Sequence, residues 1–381
     1  MHNLFIFDIN FINLIQSILF LLALIGLSII IFYSLYFFLK LNFQTKVYKE
    51  FNEPISIIIC AKNEIDNLKK NLQYILTQNY FNFEVILVND QSTDSSKIFL
   101  EELSKKYNNL VVVNIDAFVK HSIGKKFPLT LGIKTAKNEH LILTDADCKP
   151  NSKNWVKKIA SNFNHSNIIL GYGSYEKNNS FLNKIIRFDT FKIAQQYLSF
   201  CLAGYTYMGV GRNLAYKKSL FFSNKGFARH IHIPSGDDDL FIQEIAQNNI
   251  ISIEMELPSH TTSEVVKSWK EWIYQKRRHL TTAPYYKLKI KILLAIYSIA
   301  QILFWICTLL LFTLNTNLLH VITLIIIKLV ISYLVNYEVM KKLNVLDLYW
   351  IHPLYESINI LLQANFVLLN LFSKPKKWMD K

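Results

Sequence analysis

A doubly wound, mostly parallel α/β sheet set between membrane-crossing helices is the architecture written into this sequence. Three patterns point to it. Apolar runs of strand length alternate with helix-length amphipathic segments between Phe51 and Tyr286, an uncharged apolar stretch precedes them, and further apolar stretches follow. Of the 381 residues 51% are hydrophobic and only 18% charged, a balance that places part of the chain in lipid.

The runs Ile55–Cys60, Val85–Val88, Leu110–Val113 and Leu141–Leu143 read as buried parallel strands, continuously apolar because both faces of such a sheet are covered. Ile65–Leu76 and Ser95–Tyr107 carry Leu, Ile and Phe at helical spacing, and Ser92, Thr93 or Asp94 can cap the second. This β-α-β-α-β order predicts one large domain over residues 41–263.

Phe11–Leu39 exceeds the roughly 20 residues that cross a bilayer. Residues 1–40 therefore read as a retained transmembrane anchor, since a signal peptide would have a basic start and a shorter apolar stretch. Lys40, Lys46 and Lys49 follow directly, so the positive-inside rule puts the next domain in the cytosol, against the inner leaflet. Residues 292–381 form a second membrane region. Ile292–Leu314 and Leu318–Val335, broken at Asn315–Asn317, read as two spans that return to Lys341 and Lys342 inside. Trp350–Phe372 holds Pro353 and Glu356 and reads as a third spanning or re-entrant helix. The re-entrant form is preferred because a crossing would strand Lys374, Lys376 and Lys377 outside.

Residues 264–291 read as an interface region. Val265, Val266, Trp269, Trp272 and Ile273 form an apolar stripe on a helix over Val265–His279, with Lys267, Lys270, Lys276 and Arg277 elsewhere on it, a pattern suited to the headgroup layer. The net charge of +14 comes with no zinc-finger spacing, basic-region helix or Arg-rich tail, so anionic lipid and a phosphorylated substrate are the expected partners and nucleic acid is not. Cys60, Cys148, Cys201 and Cys307 have no CxxC spacing and read as reduced packing residues.

Polar residues follow each strand: Lys62, Asn63 and Glu64 after the first, Asn89 and Asp90 after the second, Thr144, Asp145 and Asp147 after Leu143. Doubly wound sheets bind ligands beyond these carboxyl ends. No GxGxxG or GxxxxGK[ST] loop is present, which argues against a dinucleotide or P-loop triphosphate. Asp145 and Asp147, flanking Ala146, can hold a hard Mg2+ or Mn2+ ion bridging to a diphosphate, although an isolated pair of this kind is also common in solvated loops. In Ser235-Gly236-Asp237-Asp238-Asp239-Leu240 one acid would suffice to cap the following helix. Three adjacent charges repel, which raises a pKa or calls for a cationic partner and suits a general base. Gln275, Arg278 and His279 share one helix face.

Together these residues resemble the family 2 glycosyltransferases of the GT-A fold over Ile55 to His279. The resemblance rests on Ile57–Glu64, Val88–Asp94, Thr144–Asp147, Gly236–Asp239 and Gln275–His279, in family order. It implies that Ala61, Glu64 and Asp90 line the nucleotide pocket and that Lys126 approaches the donor. Asp145 would contact the donor and, with Asp147, the metal. Asp238 would be the base, with the register open among Asp237, Asp238 and Asp239. Gln275 and Arg278 would grip the diphosphate as in the Gln-x-x-Arg motif of processive synthases. His279 stands where that motif has Trp, which argues against polymerisation. Gly211 and Arg212, within Gly209–Ala215, would lie beside the acceptor, or the stretch is only a turn. The implied activity is inverting, metal-dependent transfer from a nucleotide-sugar, a UDP-sugar being the first choice, to a membrane-presented lipid or glycan in envelope glycan or glycolipid synthesis. A processive polysaccharide synthase is the alternative, followed by a non-catalytic membrane scaffold that keeps the fold.

Overall fold

The computed structural model describes residues 2–45, 48–116, 118, 119, 124–314, 316–373 and 375, with side chains from Ile12 onward. Its first helix, α1 (His2–Tyr36), continues into a 3-10 turn at Phe38–Leu41. The expected alternation follows: β1 (Ile55–Ala61), α2 (Ile65–Leu76), β2 (Phe83–Asp90), α3 (Ser96–Lys106), β3 (Leu110–Ile115), α4 (Lys126–Thr135) and β4 (His140–Asp145). The strands extend the apolar runs by a residue or two, because polar residues at their ends still join the ladders.

Next come β5 (Cys148–Pro150), α5 (Trp155–Ala160), β6 (Ile168–Leu170), β7 (Gly173–Tyr175), α6 (Phe181–Leu202), β8 (Leu214–Lys217) and α7 (Lys218–Ser223). They are followed by α8 (Asp239–Ile245), β9 (Ile251–Ile253), β10 (Thr261–Ser263) and α9 (Trp269–His279). The main sheet has the order β3-β2-β1-β4-β8-β6-β9. It is parallel from β3 to β4, and β8 runs antiparallel to both β4 and β6. Strand order reverses between β1 and β4, the place where such sheets open a crevice. A smaller sheet, β5-β10-β7, stands beside it.

Successive side chains of β1 point to opposite faces. Ile57 and Ile59 join Leu68, Leu72 and Trp155 in one core, while Ile58 joins Leu129, Phe188, Phe37 and Leu41 in the other. The second core thus continues from the sheet into the first apolar helix.

Among the described residues, three helices are long and apolar enough to cross a membrane: α1 from Ile12, α10 (Leu288–Thr313) and α11 (Leu318–Lys342). A Cβ on Gly26 would lie 3.0 Å from the Ala300 carbonyl oxygen and 3.2 Å from the Phe304 nitrogen, so the bare Cα lets α1 meet the backbone of α10. The Lys342 ammonium donates to the carbonyls of Leu41, Asn42 and Gln44, each at 2.9 Å, tying the end of α11 to the end of α1. Lys46, Asn315, Lys374, Lys376 and Lys377, used above in reading the membrane topology, lie outside the described residues.

The last helix, α12 (His352–Phe372), packs along the protein with Tyr355, Glu356 and Phe366 buried. It changes the reading of the interface helix. That helix, α9, starts at Trp269 instead of Val265, with the Ser268 hydroxyl accepting from the Glu271 N–H at 3.2 Å. Trp272, in the apolar stripe, is 1% exposed and sits 5.6 Å from the Phe366 ring, while Arg277 Nε donates to Asn370 Oδ1 at 3.0 Å. Protein therefore covers much of the face expected to meet lipid.

Candidate active site

Register brings the strand ends together: Cys60 lies beside Asp145, and Ala61 beside Asn89. Asp90, 7% exposed, closes β2 at the same edge. The loops after β1 and β2 bond to each other. The Asn63 N–H donates to Ser92 Oγ at 2.9 Å, the Thr93 N–H donates to Asn63 Oδ1 at 2.8 Å, and the Asp94 carboxylate accepts from the N–H groups of Ile65 (3.1 Å) and Ser96 (3.0 Å). Asp94 thus serves the first turns of both α2 and α3. Glu64 accepts from the Asn67 amide.

Asp145 forms an ion pair with Lys125. Burial disfavours both charges, but the pair prevails: Lys125 holds the Asp145 carboxyl below its ordinary pKa, and Asp145 with Asp237 holds the Lys125 ammonium above its own. Gly124 makes the approach possible, because its φ is +132 and a Cβ there would lie 2.6 Å from the Pro234 carbonyl oxygen. Lys126 has a different setting from the one expected. It is 2% exposed and donates to the carbonyls of His230 and Ile233 (2.8 Å to the latter), and burial brings its pKa down to about 8. Lys126 braces the loop that carries the acids, while Lys125 reaches the cleft.

The three acids separate in role. Asp239, 6% exposed, accepts from the hydroxyls of Thr282 and Tyr286 (2.7 Å to the latter) and from the Leu240 N–H at 2.7 Å. These bonds tie α8 to the segment after α9. Asp238 caps α8, with Oδ1 accepting from the Asp239 N–H and Oδ2 from the Gly211 N–H, each at 2.9 Å. Burial, then repulsion from Asp237 and Asp239, pushes its pKa up to about 8, against the pull of Gly211 and Lys125. Asp237 faces Lys125 and Arg278.

Helix α9 supplies the opposite wall. Burial lowers the pKa of Arg278, while Asp237, Asp238 and Asp145 support its charge. Its Nη2 lies 3.4 Å from His279 Nε2. His279 is exposed, yet desolvation and then the cations Arg278, Lys276 and Arg212 hold its imidazole well below its ordinary pKa. Gln275 is partly buried on the same helix. Lys276 pairs with Asp189 of α6 at 2.5 Å, and Asp189 also accepts from Gln363 Nε2 of α12 at 2.8 Å, so one carboxylate fixes α9 between two helices.

Gly209–Ala215 is both turn and wall. Asn213, fully buried, donates to the carbonyls of Tyr172 (2.9 Å) and Ser259 (2.8 Å) and accepts from Trp155 Nε1 at 3.1 Å, which fixes the turn. Gly211 meanwhile reaches Asp238. The Arg212 carbonyl accepts from Thr144 and Thr261, both at 2.9 Å, and its guanidinium lies 4.3 Å from the Tyr175 ring centroid.

Ligand atoms of Asp145, Asp147 and Cys148 lie within 4.8 Å of one another. Cys148 is buried, with Sγ 3.1 Å from Ser263 Oγ, and burial raises its thiol pKa, so it offers a soft, protonated sulfur. The carboxylates are the hard oxygen donors that suit Mg2+ or Mn2+, and the Lys125 ammonium already occupies a cation position against Asp145. Sequence reasoning did not single out Lys125, Tyr175 or Asp189. Only Lys125 left a signal, in the Gly124-Lys125-Lys126 run.

The crevice at the switch of the doubly wound sheet thus gathers paired carboxylates at one strand end and acids facing two cations. Residues 56–222 match the family described as Glycosyl transferase family 2, and the chain carries a domain of that family. It is similar to a glycosyltransferase of Haemophilus influenzae, 30% identical over 32% of this chain and 36% of that protein. It is also similar to the poly(ribitol-phosphate) beta-glucosyltransferase of Bacillus spizizenii, 36% identical over 24% of this chain and 14% of that one. The chain thus spans well under half the length of either relative. In fold it resembles a mannosyltransferase of Pyrobaculum calidifontis solved with GDP-Man and Mn2+, with a TM-score of 0.56, 15% identity, and coverage of 91% of this chain and 99% of that one.

Proposed function

We propose that the chain is an inverting glycosyltransferase that moves a sugar from a nucleotide-sugar, a UDP-sugar first, to a lipid or glycan acceptor presented at the cytosolic face of a bacterial inner membrane. The observation that carries this reading is the convergence of Asp145, Lys125 and Asp238 on the Gly211 turn, where a Cβ on Gly211 would lie 3.6 Å from Asp238 Oδ2 and 3.8 Å from Lys125 Nζ. A base and a diphosphate-binding cation thus share one small space.

In this reading Ala61, Glu64 and Asp90 hold the nucleoside, and Lys125, Gln275 and Arg278 hold the diphosphate. Asp147, with Asp145, would hold Mg2+ or Mn2+, which supplies Lewis acidity toward the diphosphate oxygens. Asp238 takes the acceptor hydroxyl proton as the acceptor oxygen bonds to the anomeric carbon and the bond from that carbon to the diphosphate breaks. The cations Lys125 and Arg278 meet the charge that appears on the leaving group. Three helices of membrane-spanning character, with Lys40, Lys49, Lys341 and Lys342 at their ends, support a membrane-held acceptor and the cytosolic assignment. The likeness to a poly(ribitol-phosphate) beta-glucosyltransferase supports a role in envelope glycans.

The full chain in lipid nanodiscs, given UDP-, GDP- and dTDP-sugars with Mg2+ or Mn2+ and a membrane lipid extract, should release nucleoside diphosphate from one donor class and label an extractable product. Absence of release from every donor would overturn the reading. Product length separates transfer of one or a few sugars, expected with His279 in the wall, from a ladder made by a processive synthase.

A further inference from the structure

We propose that a second cavity, beside the cleft and above the loop after α11, binds the terminal sugar of the acceptor, so that the acceptor is glycan-bearing instead of a bare lipid phosphate. This rests on the transferase reading above. The cavity has a volume of about 260 Å3, opens to solvent and is lined by β7, α6, β10 and the Asn344–Asp347 loop. That lies near the lower end of small-ligand pockets, which start at roughly 300 Å3, and suits a single sugar residue.

Its position suits an acceptor. Tyr175 in its wall carries the Arg212 guanidinium on its ring, and the Arg212 carbonyl is bonded to Thr144, the residue before Asp145. On the other side, Cys148 next to Asp147 contacts Ser263, which follows the lining residue Thr262. Transfer site and cavity therefore share a wall. The floor is the loop that leaves α11, a helix of membrane-spanning character, so an acceptor carried in the membrane arrives at this level.

Charge decides the class of ligand. Arg187, 3% exposed, donates from Nη1 and Nη2 to the two carboxylate oxygens of Asp347 at 2.8 and 2.7 Å, and Lys177 reaches the same carboxylate at 3.2 Å. The acid Glu176 lies 3.5 Å from Lys70. The lining thus holds two cations, Arg187 and Lys177, and two acids, Glu176 and Asp347, with no net charge, and Arg187 could meet an incoming phosphate only by giving up its bidentate ion pair. The remaining lining is what a neutral sugar uses. The Tyr175 ring can meet the C–H face of a pyranose, the Ser174 and Thr262 hydroxyls stand 2.7 Å apart, and Asn344 adds an amide.

Saturation-transfer NMR on the full chain in nanodiscs, with methyl glycosides of glucose, galactose, mannose and N-acetylglucosamine as probes, tests binding without turnover. At least one glycoside should give a signal that is lost in Tyr175→Ala, reduced in Asn344→Gly and unaffected by inorganic phosphate. Asn344 has a φ of 57, so glycine keeps that backbone and guards against a folding artefact in the first variant. No glycoside signal, or equal signals in wild type and both variants, would overturn the proposal. In turnover, Tyr175→Ala should raise the KM for an alkyl glycoside acceptor by about tenfold while nucleotide affinity stays the same. Efficient transfer to polyprenyl phosphate as sole acceptor also overturns it. Failure of the transferase reading shows separately, as no nucleoside diphosphate released from any donor whatever the NMR result.

Discussion

On the side of the cleft proposed to hold the nucleoside, side chains hang from strand ends and from two loops that bond to each other through Asn63, Ser92, Thr93 and Asp94. On the side proposed for the diphosphate and the acceptor, the walls come from α6, α9, the Gly211 turn, and loops before and after the apolar helices, joined by single long-range bonds such as Asp189 to Lys276 and Gln363. The first half is organised by the sheet. The second is organised by where distant helices pack, so changes there should disturb acceptor use and turnover more than nucleotide binding.

The largest expected effect falls where the halves meet. Asp238→Asn should lower kcat by roughly 10²–10⁴-fold with donor affinity nearly intact. Run beside Asp237→Asn, it assigns the base: a greater loss in the Asp237 variant moves the role by one residue. Asp147→Ala should abolish the Mn2+-dependent part of donor binding in calorimetry, whereas Cys148→Ser should leave it in place. Equal affinity of wild type and Asp147→Ala in Mn2+ would remove Asp147 from the metal site.

Asp189→Asn breaks the acceptor-side assembly without touching the nucleotide loops. Loosening α9 by a fraction of an ångström should cost roughly ten- to a hundredfold in kcat and weaken the proposed diphosphate grip of Gln275 and Arg278, with affinity for the nucleoside little changed. A parallel loss of nucleoside affinity would erase the distinction between the halves. A gentler probe is pH. Asp238 has its pKa raised to about 8 and must be ionised to accept a proton, so kcat/KM should climb through that region and level off above it. A profile flat from pH 6 to 9 would contradict that role. The smallest effect is local: Ser268→Ala removes the cap of α9 and should cost about 1 kcal/mol in a denaturant melt.

This contrast also explains what could be read from the sequence. Strands β1 to β4 and helices α2 and α3 follow continuous apolar runs and helical spacing, so their places, and those of Asp90, Asp145 and Asp147 at the strand ends, were legible. The choice between Lys125 and Lys126 was not, because it depends on Gly124 turning against Pro234, far along the chain. The stripe on α9 read as lipid-facing because periodicity reports an apolar face and not what covers it. Here Phe366, nearly a hundred residues on, covers Trp272. The bonds that Asp239 accepts from Thr282 and Tyr286 were equally illegible, because those residues lie beyond α9 in the sequence.

The join between Lys342 and the carbonyls of Leu41, Asn42 and Gln44 has a further consequence. Tyr33, Phe37, Phe38 and Leu41 share one core with Ile58, Ile86 and Val88 of the sheet and with Val335, Val339 and Met340 of α11. No seam separates a catalytic module from its anchor. Cutting the chain before the first strand would strip the sheet of part of its own interior and leave the partly buried Lys342 ammonium without these acceptors. Heat should therefore dissolve sheet and helix ends in one cooperative transition, and proteolysis should find no stable soluble fragment between them.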